Sequence, residues 1–141
     1  LKNFCKKNYF KLILANNIKL ALKLAINGAY LPSFNQKYSH LSYSFKKDFM
    51  LLGSAHNFKE INIKKKQRVK RIFFSSIFKK NKNYLGLNKF KNYINTSEDK
   101  FVALGGITNN NVKKIKLTKA VGFAGISFFK KKAPKKGPLN I

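Results

Sequence analysis

The stretch Phe101–Val102–Ala103–Leu104–Gly105–Gly106–Ile107 decides how this chain is read. Four apolar residues running into a glycine pair describe a buried strand whose C-terminal end passes close to something else. Without a Cβ, Gly105 and Gly106 can take φ > 0 and bring their N–H groups up to a ligand. Thr108 then stands as N-cap of a helix over Asn109–Lys119, in which Val112 and Ile115 recur at helical spacing. A second buried strand, Val121–Ile126, ends at Gly125–Ile126–Ser127. Two small-residue strand ends side by side in a βαβ unit make a cradle for phosphate, because peptide donors and a nearby helix N-terminus favour an anion. The same glycines would also serve if tight turns were all that was needed.

Working outward, the rest of the chain repeats the same rhythm. Phe10–Ala15 reads as a strand ending at Asn16–Asn17, followed by a helix from Ile18 to Ala25 that Asn27–Gly28 stops. Ala29–Tyr30–Leu31 is a short strand closed by Pro32–Ser33, and Phe34–Lys47 is a polar loop with His40 exposed in it. Phe49–Gly53 forms the next strand, ending in Ser54–Ala55–His56–Asn57, and Phe58–Lys66 is a weak, heavily basic helix or turn. Val69–Ser75 is a further strand, leading through Ser76–Ile77–Phe78 into a basic, mobile loop over Lys79–Asn83 and a helix over Asn88–Ile94.

Six strands alternating with helical segments predict a parallel sheet, with every polar or glycine cluster at the C-terminal strand ends where sites are built. An eight-stranded (β/α) barrel takes about 200 residues or more. The 141 residues here therefore suggest a (β/α)8 barrel lacking its first two βα units, spanning residues 1–130. An open doubly wound sheet is the alternative. Residues 131–141 read as a basic, disordered tail. The first residue is Leu1, which suggests a fragment or an unusual start codon.

The formal charge of +27, from 31 Lys and Arg against four acids, would ordinarily point to nucleic acid. Only Arg68 and Arg71 are arginine, however, and Lys, Asn, Ile and Phe are the residues of A/T-rich codons. A nucleic-acid reader would more often use the forked arginine side chain, so nucleic acid is a disfavoured partner and the lysines read as solvated surface. Cys5 is alone, which excludes a disulfide framework and a thiolate metal cluster and suits a reducing, cytoplasmic setting. No apolar run reaches the length of a membrane span.

Taken together, four stretches resemble the thiamine phosphate synthase/TenI (thiazole tautomerase) family. They are Leu20–Ala21–Leu22 through Asn27–Gly28–Ala29–Tyr30–Leu31–Pro32–Ser33; Leu52–Gly53–Ser54–Ala55–His56; Ile72–Phe73–Phe74–Ser75–Ser76–Ile77–Phe78 with Leu85–Gly86–Leu87; and Ala103–Leu104–Gly105–Gly106–Ile107 with Gly125–Ile126–Ser127. The resemblance implies a (β/α)8 barrel in which Phe10–Ala15 is the third strand. It implies a synthase that joins a hydroxymethylpyrimidine diphosphate to a thiazole phosphate and releases pyrophosphate, with Mg2+ as cofactor. Phosphorylated thiazole and pyrimidine molecules would be its partners. On this resemblance Gly105, Gly106, Gly125, Ile126 and Ser127 would hold the thiazole phosphate, and Ser54 and Asn16 would meet the diphosphate. Lys82, or a neighbour in its loop, would neutralise the departing pyrophosphate.

The chain also departs from the family's pattern. Where the synthases carry Asn–Asp–Arg, with the Asp on magnesium, this chain reads Ala15–Asn16–Asn17, and amides hold a hard cation only weakly. Pro32–Ser33–Phe34 stands where a second metal-binding Asp is expected, so ligands for Mg2+ are not evident. Leu–Pro–Ser and Ser–Ala–His resemble the tautomerase branch instead, in which His56 would move a proton on a thiazole carboxylate phosphate. The plainer reading of His56 is a histidine hydrogen-bonded at the barrel mouth. An inactive, truncated copy is a third possibility.

Overall fold

A computed structural model describes residues 1–130; the tail over 131–141 lies outside them. Within the described residues six strands form one parallel sheet: β1 (Ile13–Ala15), β2 (Gly28–Leu31), β3 (Met50–Ala55), β4 (Arg71–Phe74), β5 (Phe101–Leu104) and β6 (Gly122–Ala124). Their spatial order is the chain order, β1-β2-β3-β4-β5-β6. A doubly wound sheet reverses direction at a switch point, and this one does not. Successive crossovers that always step the same way are the arrangement of a (β/α) barrel, here six strands of one.

The helices are α1 (Lys2–Lys7), α2 (Ile18–Lys23), α3 (Phe58–Lys66), α4 (Leu87–Asn95), α5 (Val112–Lys116) and α6 (Ile126–Lys130). Two buried clusters fill the space between helices and sheet. Near β4 and β5, Ile61, Phe90, Ile94 and Ile115 from α3, α4 and α5 meet Ala55, Ile72, Phe74, Phe101 and Ala103. Phe74 is at the centre, its ring 5.9 Å from Phe90, 5.7 Å from Phe101 and edge-on to Tyr93 at 5.2 Å. Near β2 the cluster is smaller, with Ile18 and Ala21 of α2 against Ala29, Leu31 and Leu51. Strand residues of opposite parity face the other way: Ile13, Tyr30, Leu52, Phe73 and Leu104 are only half-buried, and Tyr30 meets Phe73 edge-on at 5.7 Å.

Several local readings change. The α2 helix ends at Lys23 with Leu24 as its C-cap, and Ala25 takes φ 47°, so Asn27–Gly28 does not stop it. Gly28 instead belongs to β2, where a Cβ would lie 2.1 Å from the Met50 carbonyl oxygen. Phe58–Lys66 is a nine-residue helix rather than a turn, because Asn57 caps it and Glu60 reaches back over the cap: the Glu60 N–H donates to Asn57 Oδ1 at 3.0 Å, Asn57 Nδ2 donates to Glu60 Oε1 at 3.1 Å and the His56 N–H donates to Glu60 Oε2 at 2.7 Å. Thr108 does not cap α5: its N–H donates to Asn111 Oδ1 at 2.9 Å, and the helix begins only at Val112. Likewise β6 stops at Ala124, with Ile126 and Ser127 already in α6.

His40 is corrected most sharply. It is 3% exposed within a 3-10 turn (Ser39–Ser42), its Nε2 2.9 Å from the Gln67 carbonyl oxygen. A carbonyl only accepts, so Nε2 carries the hydrogen. The loop over Lys79–Asn83, read as mobile, is tied to the strand end: the Ser76 N–H donates to Asn83 O at 2.9 Å, the Tyr84 N–H to Asn81 O at 2.9 Å, and Ser76 Oγ to Lys79 O at 2.8 Å.

Candidate active site at the carboxyl ends of the strands

Gly105 and Gly106 follow β5 with φ of 103° and 71°, a region that disfavours any residue with a Cβ. They are also crowded by the segment after β4. A Cβ on Gly105 would lie 2.5 Å from Ser76 Oγ, and one on Gly106 would lie 2.6 Å from the Lys79 nitrogen. The crowding comes from backbone bonds, the Ile77 N–H donating to Leu104 O at 3.1 Å and the Phe78 N–H to Gly105 O at 2.9 Å. The turn requirement is therefore real. A second property accompanies it: among the described residues, the N–H groups of Gly105, Gly106 and Ile107 donate to nothing, and Gly106 is exposed. Gly105 is half-buried and Ile107 buried beside it; buried peptide groups are almost always paired, so a run of free donors opening at Gly106 is an anion-binding geometry.

The second glycine end lies beside the first. Leu104 registers with Ala124, and the position a Gly125 Cβ would take is 3.5 Å from the Ile107 carbonyl oxygen. That is ordinary van der Waals distance, and Gly125 has no left-handed φ. Ile126 is exposed, and Ser127 is the second residue of α6.

His56, half-buried past the end of β3, is held on both sides. Its N–H caps onto Glu60, and its Nδ1 lies 3.0 Å from both the Ser75 carbonyl oxygen and Ser75 Oγ. The carbonyl accepts only, so Nδ1 carries the hydrogen and Nε2 is left with its lone pair, the basic nitrogen of the neutral ring. Ser75 adjoins Ser76, which touches Gly105, so His56 and the glycine turn share one continuous rim. Ser75 and Glu60, which hold His56, are the residues at this rim that sequence reasoning missed. The Asn–x–x–Glu spacing at Asn57–Glu60 was a signal for the second; nothing local announced the first.

The other expected residues are less closely assembled. Ser54, 6% exposed, is on β3 with the same parity as Leu52, facing away from the helices. Lys82 is exposed, and the lysine that approaches Gly106 is Lys79, through its backbone nitrogen. Asn16, at φ 55° after β1, accepts from Asn35 Nδ2 at 2.6 Å rather than reaching toward β5.

The rim does not suit an all-protein magnesium site. Asp48 precedes β3, while Glu98 and Asp99 precede β5, all at the amino ends of strands, and Asp99 pairs with Lys65 at 2.9 Å. Glu60 reaches the rim, but both of its oxygens serve the α3 cap. Among the described residues no group of three His, Cys, Asp or Glu could hold a metal ion. No described helix is long and apolar enough to cross a membrane.

Comparison with known proteins identifies the family of the fold. The profile of the thiamine monophosphate synthase (TMP-TENI) family matches residues 1–129. The chain belongs to this family. A thiamine-phosphate synthase of Hydrogenobaculum sp. (strain Y04AAS1) is 24% identical over 131 residues, covering 90% of this chain and 61% of that protein. A thiamine phosphate pyrophosphorylase from Pyrococcus furiosus superposes with a TM-score of 0.74 at 17% identity, covering 89% of this chain and 62% of that one. The family's fold thus agrees with the sheet described above, and the chain spans about three-fifths of the length of these two relatives.

Proposed function

We propose that this chain carries the phosphate-gripping part of a thiamine phosphate synthase site. The observation that carries the reading is the set of unpaired N–H groups at Gly105, Gly106 and Ile107 beside Gly125. A thiazole phosphate would lodge its phosphoryl oxygens on these donors, with Ile126 and Ser127 flanking at the start of α6. The thiazole nitrogen then forms a C–N bond to the methylene of the hydroxymethylpyrimidine diphosphate while the C–O bond breaks and pyrophosphate leaves with the electron pair. Such a step asks for neutralisation of a growing negative charge more than for acid–base chemistry. Lys82, with Lys79 in the same loop, is suited to that role, and Ser54 on the inward face would donate to the diphosphate. No step is assigned to magnesium. The chemistry belongs in the cytoplasm, where Cys5 stays a free thiol.

A second reading has its own support in His56. With Nδ1–H fixed by Ser75, Nε2 is positioned as a base that could move a proton on a thiazole carboxylate phosphate, the tautomerase reaction. Titration calorimetry with thiazole phosphate tests the shared claim: saturable heat is expected, and none would overturn both readings. Turnover then separates them. Pyrophosphate release that survives His56→Gln is the synthase result; isomerisation lost in the same variant, with no pyrophosphate release from the parent protein, is the tautomerase result.

A further inference from the structure

The end of β1 is wired to a buried lysine on α3. Lys64 is fully buried, 0% exposed, and its stem crosses the helix-side surface of β3 at Gly53, where a Cβ would lie 3.0 Å from Lys64 Cδ. Its ammonium donates to Pro32 O at 2.7 Å, Asn35 O at 2.8 Å and Gln67 Oε1 at 3.0 Å, which uses all three hydrogens. Gln67 Nε2 in turn donates to Asn35 O at 3.0 Å and Lys37 O at 2.9 Å. A lysine head that can only donate thus gathers the loop after β2.

That loop fixes the polarity of Asn16. The Lys37 N–H donates to Asn35 Oδ1 at 2.9 Å, so the other atom of the Asn35 amide must be Nδ2. Nδ2 donates to Asn16 at 2.6 Å, so the Asn16 atom facing it must be Oδ1. What Asn16 has left is its NH2, which has no partner among the described residues. Beside it is a crevice of about 140 Å³ whose lining includes Asn17, Lys19, Lys37 and Ser39 and no carboxylate.

We infer that Asn16 offers an amide donor, not an oxygen ligand, so that the β1 end takes an anionic diphosphate oxygen directly and without a bridging cation, with Lys64 the positioning residue that holds, through the Asn35 carbonyl, the loop in which the Lys37 N–H sets this polarity. The inference rests on the synthase reading, in which Asn16 meets the diphosphate, and it replaces a metal-mediated contact at that position with a direct one. Lys64 acts only through the loop and touches no substrate.

Calorimetry with inorganic pyrophosphate in chelator and in Mg2+ tests it. The parent protein binds pyrophosphate in chelator; binding that requires Mg2+ overturns the inference. The Asn16→Asp variant, on an exposed residue, should lose about tenfold or more in chelator and recover in Mg2+, since a charged donor–acceptor contact becomes a repulsion that a cation can bridge. Loss without magnesium recovery, or no loss, contradicts the assignment. Lys64→Met and Asn35→Asp cut the same chain at a buried and a half-buried point. Each should weaken pyrophosphate about fivefold or more and leave thiazole phosphate affinity unchanged, whereas Asn35→Asp moving both ligands or neither rules out the positioning role. Thiazole phosphate serves as the independent arm: if it binds and pyrophosphate does not, this inference alone fails, and if neither binds, the functional reading fails with it.

Discussion

The two ends of the sheet build their carboxyl-end rim by different means. At β5 and β6 the backbone itself makes the proposed site, with glycines at φ 103° and 71° and three N–H groups that have no partner among the described residues. At β1 and β2 the rim depends on side chains from distant stretches, Asn16 on Asn35, Asn35 on Lys64 and Gln67, and Gln67 on His40. Backbone chemistry of that kind is written in adjacent residues. Side-chain wiring is not, because the partners lie 19 to 32 positions apart.

The sharpest way to break the comparison is at Gly106. Gly106→Ala should cost about 3 kcal/mol or more, read as a shift in denaturant midpoint, from a left-handed φ and a 2.6 Å approach to the Lys79 nitrogen together. Gly106 substitutions therefore report folding before they report binding. Lys64→Met comes next, at about 2 kcal/mol, since Pro32 O, Asn35 O and Gln67 Oε1 lose their donor while the stem volume is kept. Glu60→Ala should cost about 1 kcal/mol by uncapping α3 and freeing the backbone of His56. Gly125→Ala is expected to change stability by less than about 0.5 kcal/mol, given ordinary contact distances and no left-handed φ. If Gly125→Ala nevertheless weakens thiazole phosphate, the space there belongs to the ligand; an unchanged affinity would leave that glycine a connector only.

Lys64 also gives the β1–β2 end a pH signature. Burial pushes its ammonium down to about 8 from 10.5, with Glu60 opposing the shift. The native value lies below the unfolded one, so between about pH 8 and 10.5 the unfolded chain binds more protons, and stability gains with rising pH in that window. Thermal melts of the parent protein against Lys64→Met should show the parent gaining relative to the variant from pH 8 to 10. A flat difference would place the ammonium outside the interior.

How much of this was legible in the sequence follows the same division. The six strands, their parallel order and the glycine rim could be read because apolar runs ending in Gly or Ser are local patterns. Gly28 was misread because its constraint, the Met50 carbonyl, comes from the next strand rather than from the helix before it. His40 looked like a loop residue because Gln67, its partner, is 27 positions away. The Asn57–Glu60 cap is a local pattern legible in the sequence, and it outweighs the run Lys64–Lys66 that makes the segment look like a poor helix. Thr108 obeyed a real capping preference and lost to Asn111, whose amide reaches both the Thr108 N–H and, at 2.9 Å, the Gly106 carbonyl.

The most direct test of the central claim is a 1H–15N titration of the protein with thiazole phosphate, following the amide signals of Gly105, Gly106 and Ile107. The account predicts that these three signals move together and saturate with the calorimetric affinity, shifting downfield as each N–H takes a phosphate oxygen. Saturable changes confined to other signals, with these three amides unmoved, would contradict it.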